Sequence, residues 1–139
     1  MCNQRIIWQW EPLISIGYIR FNEPIIPLIR KYKLQRKVEY EPPDWQVYEF
    51  PEDETLVNVE KSRVLSVSCY NNFFYKGKNL LGISLKEIND ILGKEYEIDE
   101  SIETQTLVIY DSMSLQLWFE NGVTVSAMCY GFIEENFDD

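Results

Sequence analysis

Two stretches sixty residues apart share one pattern, and that repeat constrains the fold more than any other feature of the chain. Leu65-x-Val67-x-Cys69-Tyr70 and Val125-x-Ala127-x-Cys129-Tyr130 alternate apolar and polar positions in the same phase. Alternation with a period of two is the signature of a strand with one buried face. Each stretch follows a turn at the same offset, Glu60-Lys61-Ser62-Arg63 in the first case and Glu120-Asn121-Gly122-Val123 in the second. Asn-Gly between apolar strands favours a tight two-residue hairpin, because both central residues must take positive φ. The offset also sets Phe21 on Leu81, Ile25 on Leu85, Leu28 on Ile88, Phe50 on Tyr110, Val57 on Leu117, Val59 on Phe119 and Gly17 on Gly77. Residue class recurs rather than identity, as expected of a structural repeat.

The elements within each repeat follow from local chemistry. Ser84-Leu85-Lys86-Glu87 is a capping box, with Leu85, Ile88, Ile91 and Leu92 at helical spacing and Gly93 as the stop. These residues predict a short amphipathic helix over 84–92. Pro24-Ile25-Ile26-Pro27-Leu28-Ile29 opens its counterpart, with prolines where a first helical turn tolerates them. Strands are expected over 13–21, 45–50, 55–60 and 64–70 in the first half. Those of the second half are expected over 73–81, 106–110, 115–120 and 123–130. A further short strand, 5–10, precedes them. The polar stretch 94–103 reads as a loop, and Pro42-Pro43 breaks the first half at a similar place. The expected fold is therefore α+β. It consists of two antiparallel β-sheets from an internal duplication, strand–helix–three strands twice, with two short helices. The repeat halves run over about 12–73 and 72–133 within a single domain, 1–139.

Charge divides along the same boundary. Residues 1–78 carry 10 acids and 11 bases, whereas residues 79–139 carry 13 acids and 2 bases, so nearly all of the net −10 belongs to the second half. A one-sided negative field attracts basic partners and repels phosphate. Arg30, Lys31, Lys33, Arg36 and Lys37 form the single basic cluster, at the end of the first helix, where the helix dipole favours cations in any case. No apolar run reaches the length of a membrane span, and none near the N-terminus suits a signal peptide. The expected compartment is the cytoplasm, with no membrane partner. Cys2, Cys69 and Cys129 are odd in number and widely spaced, so no disulfide framework is expected. Cys69 and Cys129 fall on the apolar faces of their strands and read as core residues.

Chemistry is sparse. The chain has no histidine, which removes the commonest general base and the Ser-His and Cys-His nucleophile systems. It has no Gly-x-Gly-x-x-Gly, Walker A, Cys-x-x-Cys or calcium-loop pattern. No catalytic residue, cofactor or metal is expected, and no direct binding of nucleic acid. The carboxylates lie in runs: Glu52-Asp53-Glu54 at a turn, Glu95 to Glu103 in the acidic stretch, and the C-terminal Glu134, Glu135, Asp138 and Asp139. Such runs ordinarily face solvent.

Three segments carry a family likeness. These are Trp8-Gln9-Trp10-Glu11-Pro12-Leu13-Ile14-Ser15-Ile16-Gly17-Tyr18-Ile19-Arg20-Phe21; Asn79-Leu80-Leu81-Gly82-Ile83-Ser84, leading into the helix that ends Ile91-Leu92-Gly93; and Leu115-x-Leu117-Trp118-Phe119-Glu120-Asn121-Gly122. Together they resemble bacterial immunity proteins of contact-dependent growth inhibition and related polymorphic toxin systems, some of which have a Whirly-like fold. Asn22 departs from that pattern, which has Gly after Phe21. The resemblance implies a cytoplasmic protein that binds and neutralises one cognate toxin. That partner is expected to be a basic nuclease domain, blocked at its active-site cleft by a monomeric inhibitor. The residues expected to bind it are Glu95, Glu97, Asp99, Glu100, Glu103, Asp111, Glu134 and Glu135, with Trp118 as an aromatic anchor. Trp45 is a further aromatic candidate. A small acidic secretion chaperone that binds one exported protein is the alternative.

Overall fold

In the computed structural model, residues 6–37, 45–51, 53–100 and 104–131 are described. The chain opens with β1 (Trp10–Glu11), β2 (Ser15–Ile16) and β3 (Ile19–Arg20), a small antiparallel sheet, and continues into α1 (Ile25–Tyr32). Four strands follow: β4 (Gln35–Lys37), β5 (Trp45–Glu49), β6 (Leu56–Glu60) and β7 (Arg63–Cys69). The second half follows a similar order, with two strands rather than three before its helix. A hairpin of β8 (Phe74–Tyr75) and β9 (Lys78–Asn79) leads to α2 (Leu85–Leu92). Then come β10 (Glu97–Asp99), β11 (Thr106–Tyr110), β12 (Leu115–Glu120) and β13 (Val123–Tyr130). The α2 capping box forms as its sequence requires, with Ser84 Oγ accepting from the Glu87 N–H and the Glu87 carboxylate accepting from the Ser84 N–H, both at 3.2 Å.

The fold is α+β with antiparallel pairing between all its named strands and two helices. The strands do not form the two sheets expected. Eight of them make one continuous sheet in the order β10-β11-β12-β13-β7-β6-β5-β4. The reason is the hydrogen-bonding capacity of β7 and β13. Each would be an edge strand if its half stood alone, and each satisfies the other's main-chain groups instead. The expected strands 13–21 and 73–81 are also hairpins, because Gly17 (φ +61) and Lys76-Gly77 (φ +52 and +83) reverse the chain within them. The acidic stretch 94–103, expected as a loop, contains strand β10. The Pro42-Pro43 segment and Cys2 lie outside the described residues.

Backbone geometry recurs at the sixty-residue offset. Bulges fall at Asn58/Val59 and at Trp118/Phe119. Isolated bridges join Pro24 to Arg63 and Ser84 to Val123. The Asn22 N–H donates to Val64 O at 2.8 Å, and the Gly82 N–H donates to Thr124 O at 2.9 Å. Asn22 and Gly82 both take positive φ, +73 and +84, and Asn is one of the few residues other than Gly that adopts this region readily. Along the β7–β13 seam, Cys69 pairs with Ala127, Ser68 with Met128 and Val67 with Cys129. Shifting each partner by sixty returns these same three pairs, centred on Ser68 and Met128, whereas the fourth seam pair, Tyr130 with Ser66, has no such counterpart.

One core cluster spans both halves. Val57, Val59, Val67 and Cys69 meet Leu117, Phe119, Ala127 and Cys129 on one face of the sheet. The helices cover that face with Ile25, Leu28 and Ile88, and the N-terminal segment with Trp8, Trp10, Ile16 and Ile19. Trp8 is held there by an unexpected group. Asp53, assigned to a solvated run in the sequence, is 4% exposed. Its carboxylate accepts from Trp8 Nε1, from Asn71 Nδ2 at 2.8 Å and from Thr55 Oγ1 at 3.2 Å. Asn72 completes the clamp, accepting from the Trp8 N–H at 2.8 Å and donating to Ile6 O at 2.9 Å. Charge runs are usually solvated, but a carboxylate folds inward when several donors meet it there.

Cys69 and Cys129 are both buried and free, as their strand faces predicted. Burial pushes each thiol well above the ordinary range, helped by the Asp53 carboxylate at Cys69 and by Cys69 itself at Cys129. Both therefore stay protonated in the fold and ionise on unfolding. Stability from this source is complete below the unfolded thiol pKa of about 8.5, and falls as pH rises above it by up to about 1.4 kcal/mol per pH unit per thiol. Urea midpoints from pH 7.5 to 10 should fall more steeply for the native chain than for Cys69→Ala/Cys129→Ala. Parallel curves for the two proteins would contradict the effect.

Candidate partner-binding site

The acidic residues gather where α2 gives way to the outermost strand of the sheet. Gly93 (φ +91) ends α2, and Lys94 to Tyr96 lead into β10. Tyr96 fixes this segment by packing edge-on against Tyr110, with centroids 5.2 Å apart. Tyr110 in turn donates its hydroxyl to Gly93 O at 2.8 Å, and burial followed by the neighbouring Tyr96 raises its phenol above the ordinary range. Glu95 and Glu97 alternate around Tyr96, so the contact that seats the aromatic ring leaves both carboxylates exposed.

Asp111 reaches the same place from another element. It opens a short 3₁₀ turn, Asp111–Met113, between β11 and β12, closed by the Ser114 N–H donating to Asp111 O at 3.2 Å. Glu95, Glu97 and Asp111 thus line one shallow cleft of about 380 Å³ together with Lys94, Tyr96, Ile109 and Ser112. Three carboxylates face one ammonium, so the cleft suits a cationic group. Glu100 is exposed just past the end of β10 and Asp99 is half-buried within it; neither lines the cleft. Glu103, Glu134 and Glu135 lie outside the described residues, as does the side chain of Trp45.

Trp118 sits on the other side of the sheet from the core. Its neighbours Leu117 and Phe119 are buried, whereas Trp118 is half-buried and has no place in the core cluster. Its register partner Leu107, which is buried, and the half-buried Ile109 share that outer face. Met128 and Leu56 continue the face toward the far edge, again separate from the core. Sequence reasoning missed Leu107, Ile109 and Met128. The available signal was the unbroken apolar run Leu107-Val108-Ile109, which leaves apolar side chains on both faces of β11. Ile109 belongs both to this face and to the acidic cleft, so the two surfaces are continuous.

The far end of the sheet has a different character. At β4, Lys37 and Glu49 form an ion pair at 3.4 Å on the outer face, and Asn58 donates to Ser66 Oγ at 2.8 Å. Among the described residues, no group of three or more His, Cys, Asp or Glu is arranged to hold a metal ion, and no helix is long and apolar enough to cross a membrane. Comparison with protein-family models, with curated proteins and with solved structures finds no match for this chain.

Proposed function

We propose that this chain is an immunity protein that binds and neutralises a cognate toxin, a basic nuclease domain, by covering its active-site cleft. One observation carries the reading: Glu95, Glu97 and Asp111, from two separate elements, converge on one cleft beside an apolar surface that contains Trp118. A nuclease must hold phosphate, so its own cleft is cationic, and an inhibitor with a negative field meets it quickly and blocks it. The concentration of charge in residues 79–139 and the resemblance of the Trp8–Phe21 and Leu115–Gly122 segments to immunity proteins support the same assignment. On this reading the protein acts in the cytoplasm as a monomer, without cofactor or catalysis. The two halves descend from one duplicated unit, a history supported by the bulges, bridges and seam pairs that recur sixty residues apart.

The test is capture from lysate of the host with this protein as bait, at low and high salt, followed by assay of the retained partner. A single basic nuclease domain should be retained, lose activity on addition of the chain, and bind more weakly as salt rises. Retention of one unfolded exported protein would assign the chain to the secretion chaperones. Recovery of RNA or DNA alone would overturn both readings.

A further inference from the structure

Among the described residues, the eight-stranded sheet ends in β10 on one side and in β4 on the other. An outermost strand presents unpaired main-chain groups to any other strand, and proteins protect such edges with charged side chains, inward-pointing ones included. The two edges match in register. Arg36 of β4 lies opposite Tyr48, and Ile98 of β10 lies opposite Val108, sixty places after Tyr48. Tyr48 and Val108 both belong to the core, so Arg36 and Ile98 hold the core-side position of their edge strands. At β4 that position carries a charge. At β10 it carries an isoleucine that is 44% exposed and stays outside the core, although Val108 beside it is fully buried. The core face therefore ends at β10 on an apolar side chain left half-uncovered. Glu97, the preceding residue, faces the other side of the sheet opposite Ile109 and lines the acidic cleft with Glu95 and Asp111.

A strand added beside β10 would cover Ile98 and continue the ladder. Its side chains must alternate in step with those of β10. An apolar residue then lies beside Ile98, and a cation lies beside Glu97 on the other side of the sheet, because opposite charges on neighbouring strands attract and like charges repel. Strand addition to an open edge is a general mode of recognition, in which the main chain supplies affinity and alternate side chains supply specificity. We infer that the chain holds its partner by accepting one extended segment, of alternating basic and apolar residues, along the β10 edge, whereas the β4 edge, with Arg36 at the matching position, takes none. This rests on the toxin-binding reading and adds the edge that binds and the kind of segment bound.

The probe is the basic domain retained in the capture experiment, produced on its own. Amide hydrogen exchange of the native chain, with and without that domain, should slow within Glu97–Asp99 on binding and stay unchanged within Gln35–Lys37. Ile98→Lys, which places a cation at the β10 edge, should weaken binding by about tenfold or more, through a lost apolar contact and repulsion of a basic strand. Gln35→Lys makes the same change of charge at the other edge and should alter binding less than about threefold, the usual scale outside a hot spot. Circular dichroism and urea midpoints identify folded variants. Should Ile98→Lys fail to fold, exchange on the native chain decides the question alone. Unchanged exchange within Glu97–Asp99 in the complex overturns the inference while leaving toxin binding intact, as does a folded Ile98→Lys that binds as well as the native chain. Capture of no basic domain by the native chain overturns both.

Discussion

Replacing Asp53 with alanine should destabilise the protein by about 3–5 kcal/mol, the scale reached when a buried site with several donors loses its carboxylate acceptor. Trp8 Nε1 has Asp53 as its acceptor in a site where Trp8 is fully buried, and Asn71 Nδ2 gives its hydrogen bonds to Asp53 as well. The indole N–H cannot turn to water without opening the packing of Trp8 on Phe50, whose rings meet edge to face at 5.1 Å, whereas the half-buried Asn71 keeps its bond to the Asp53 main-chain carbonyl. Asp53→Asn should cost less, because its amide oxygen can still accept from the indole. The specific contribution is isolated by a double-mutant cycle with Trp8→Phe, which removes the indole donor and keeps an aromatic ring. Urea unfolding followed by tryptophan fluorescence measures each corner. A loss below about 1 kcal/mol for Asp53→Ala would mean that the clamp contributes little, since a typical neutral hydrogen bond contributes that much.

Gly17→Ala and Gly77→Ala should differ by about 2 kcal/mol although the two glycines occupy matching turns, because overpacking adds to strain at only one of them. Both have positive φ, +61 and +83, so alanine at either site carries backbone strain of about 1–2 kcal/mol. At Gly77 an added Cβ meets nothing within 4 Å. At Gly17 it would lie 2.7 Å from Cε3 of Trp8, an indole already fixed by Asp53 and by burial. Gly17 is the first and Gly77 the second residue of its turn, so the backbone strain is of similar scale rather than identical, and the larger loss at Gly17 reads the contact with Trp8. Thermal or urea midpoints of the two variants read it directly, and equal losses would show that the Trp8 ring can move aside.

Much of the main fold was legible because local rules and the repeat agreed. The capping box and Gly93 bound α2 to within one residue, and Asn121-Gly122 placed β12 and β13 at their observed limits. The first-half hairpin was less visible, since Lys61 and Ser62 adopt positive φ without the glycine that advertises such a turn. The acidic strand β10 was read as a loop because Glu and Asp are poor strand formers, and pairing with β11 overrides that preference. The convergence of Glu95 and Glu97 with Asp111 was not legible, because more than ten residues separate them and only the β10–β11 pairing closes the gap.

The sequence by itself determined what each segment prefers: where the helices start, which strand faces are apolar, and which half bears the negative charge. These preferences depend on neighbours a few residues away, through capping, alternation and turn geometry. The tertiary structure alone decided that the halves would share one sheet, that Asp53 would turn inward beneath Trp8, and that Glu95, Glu97 and Asp111 would line one cleft. Those outcomes depend on hydrogen bonds and contacts between residues distant in the chain, whose stability exists only once the partners are brought together.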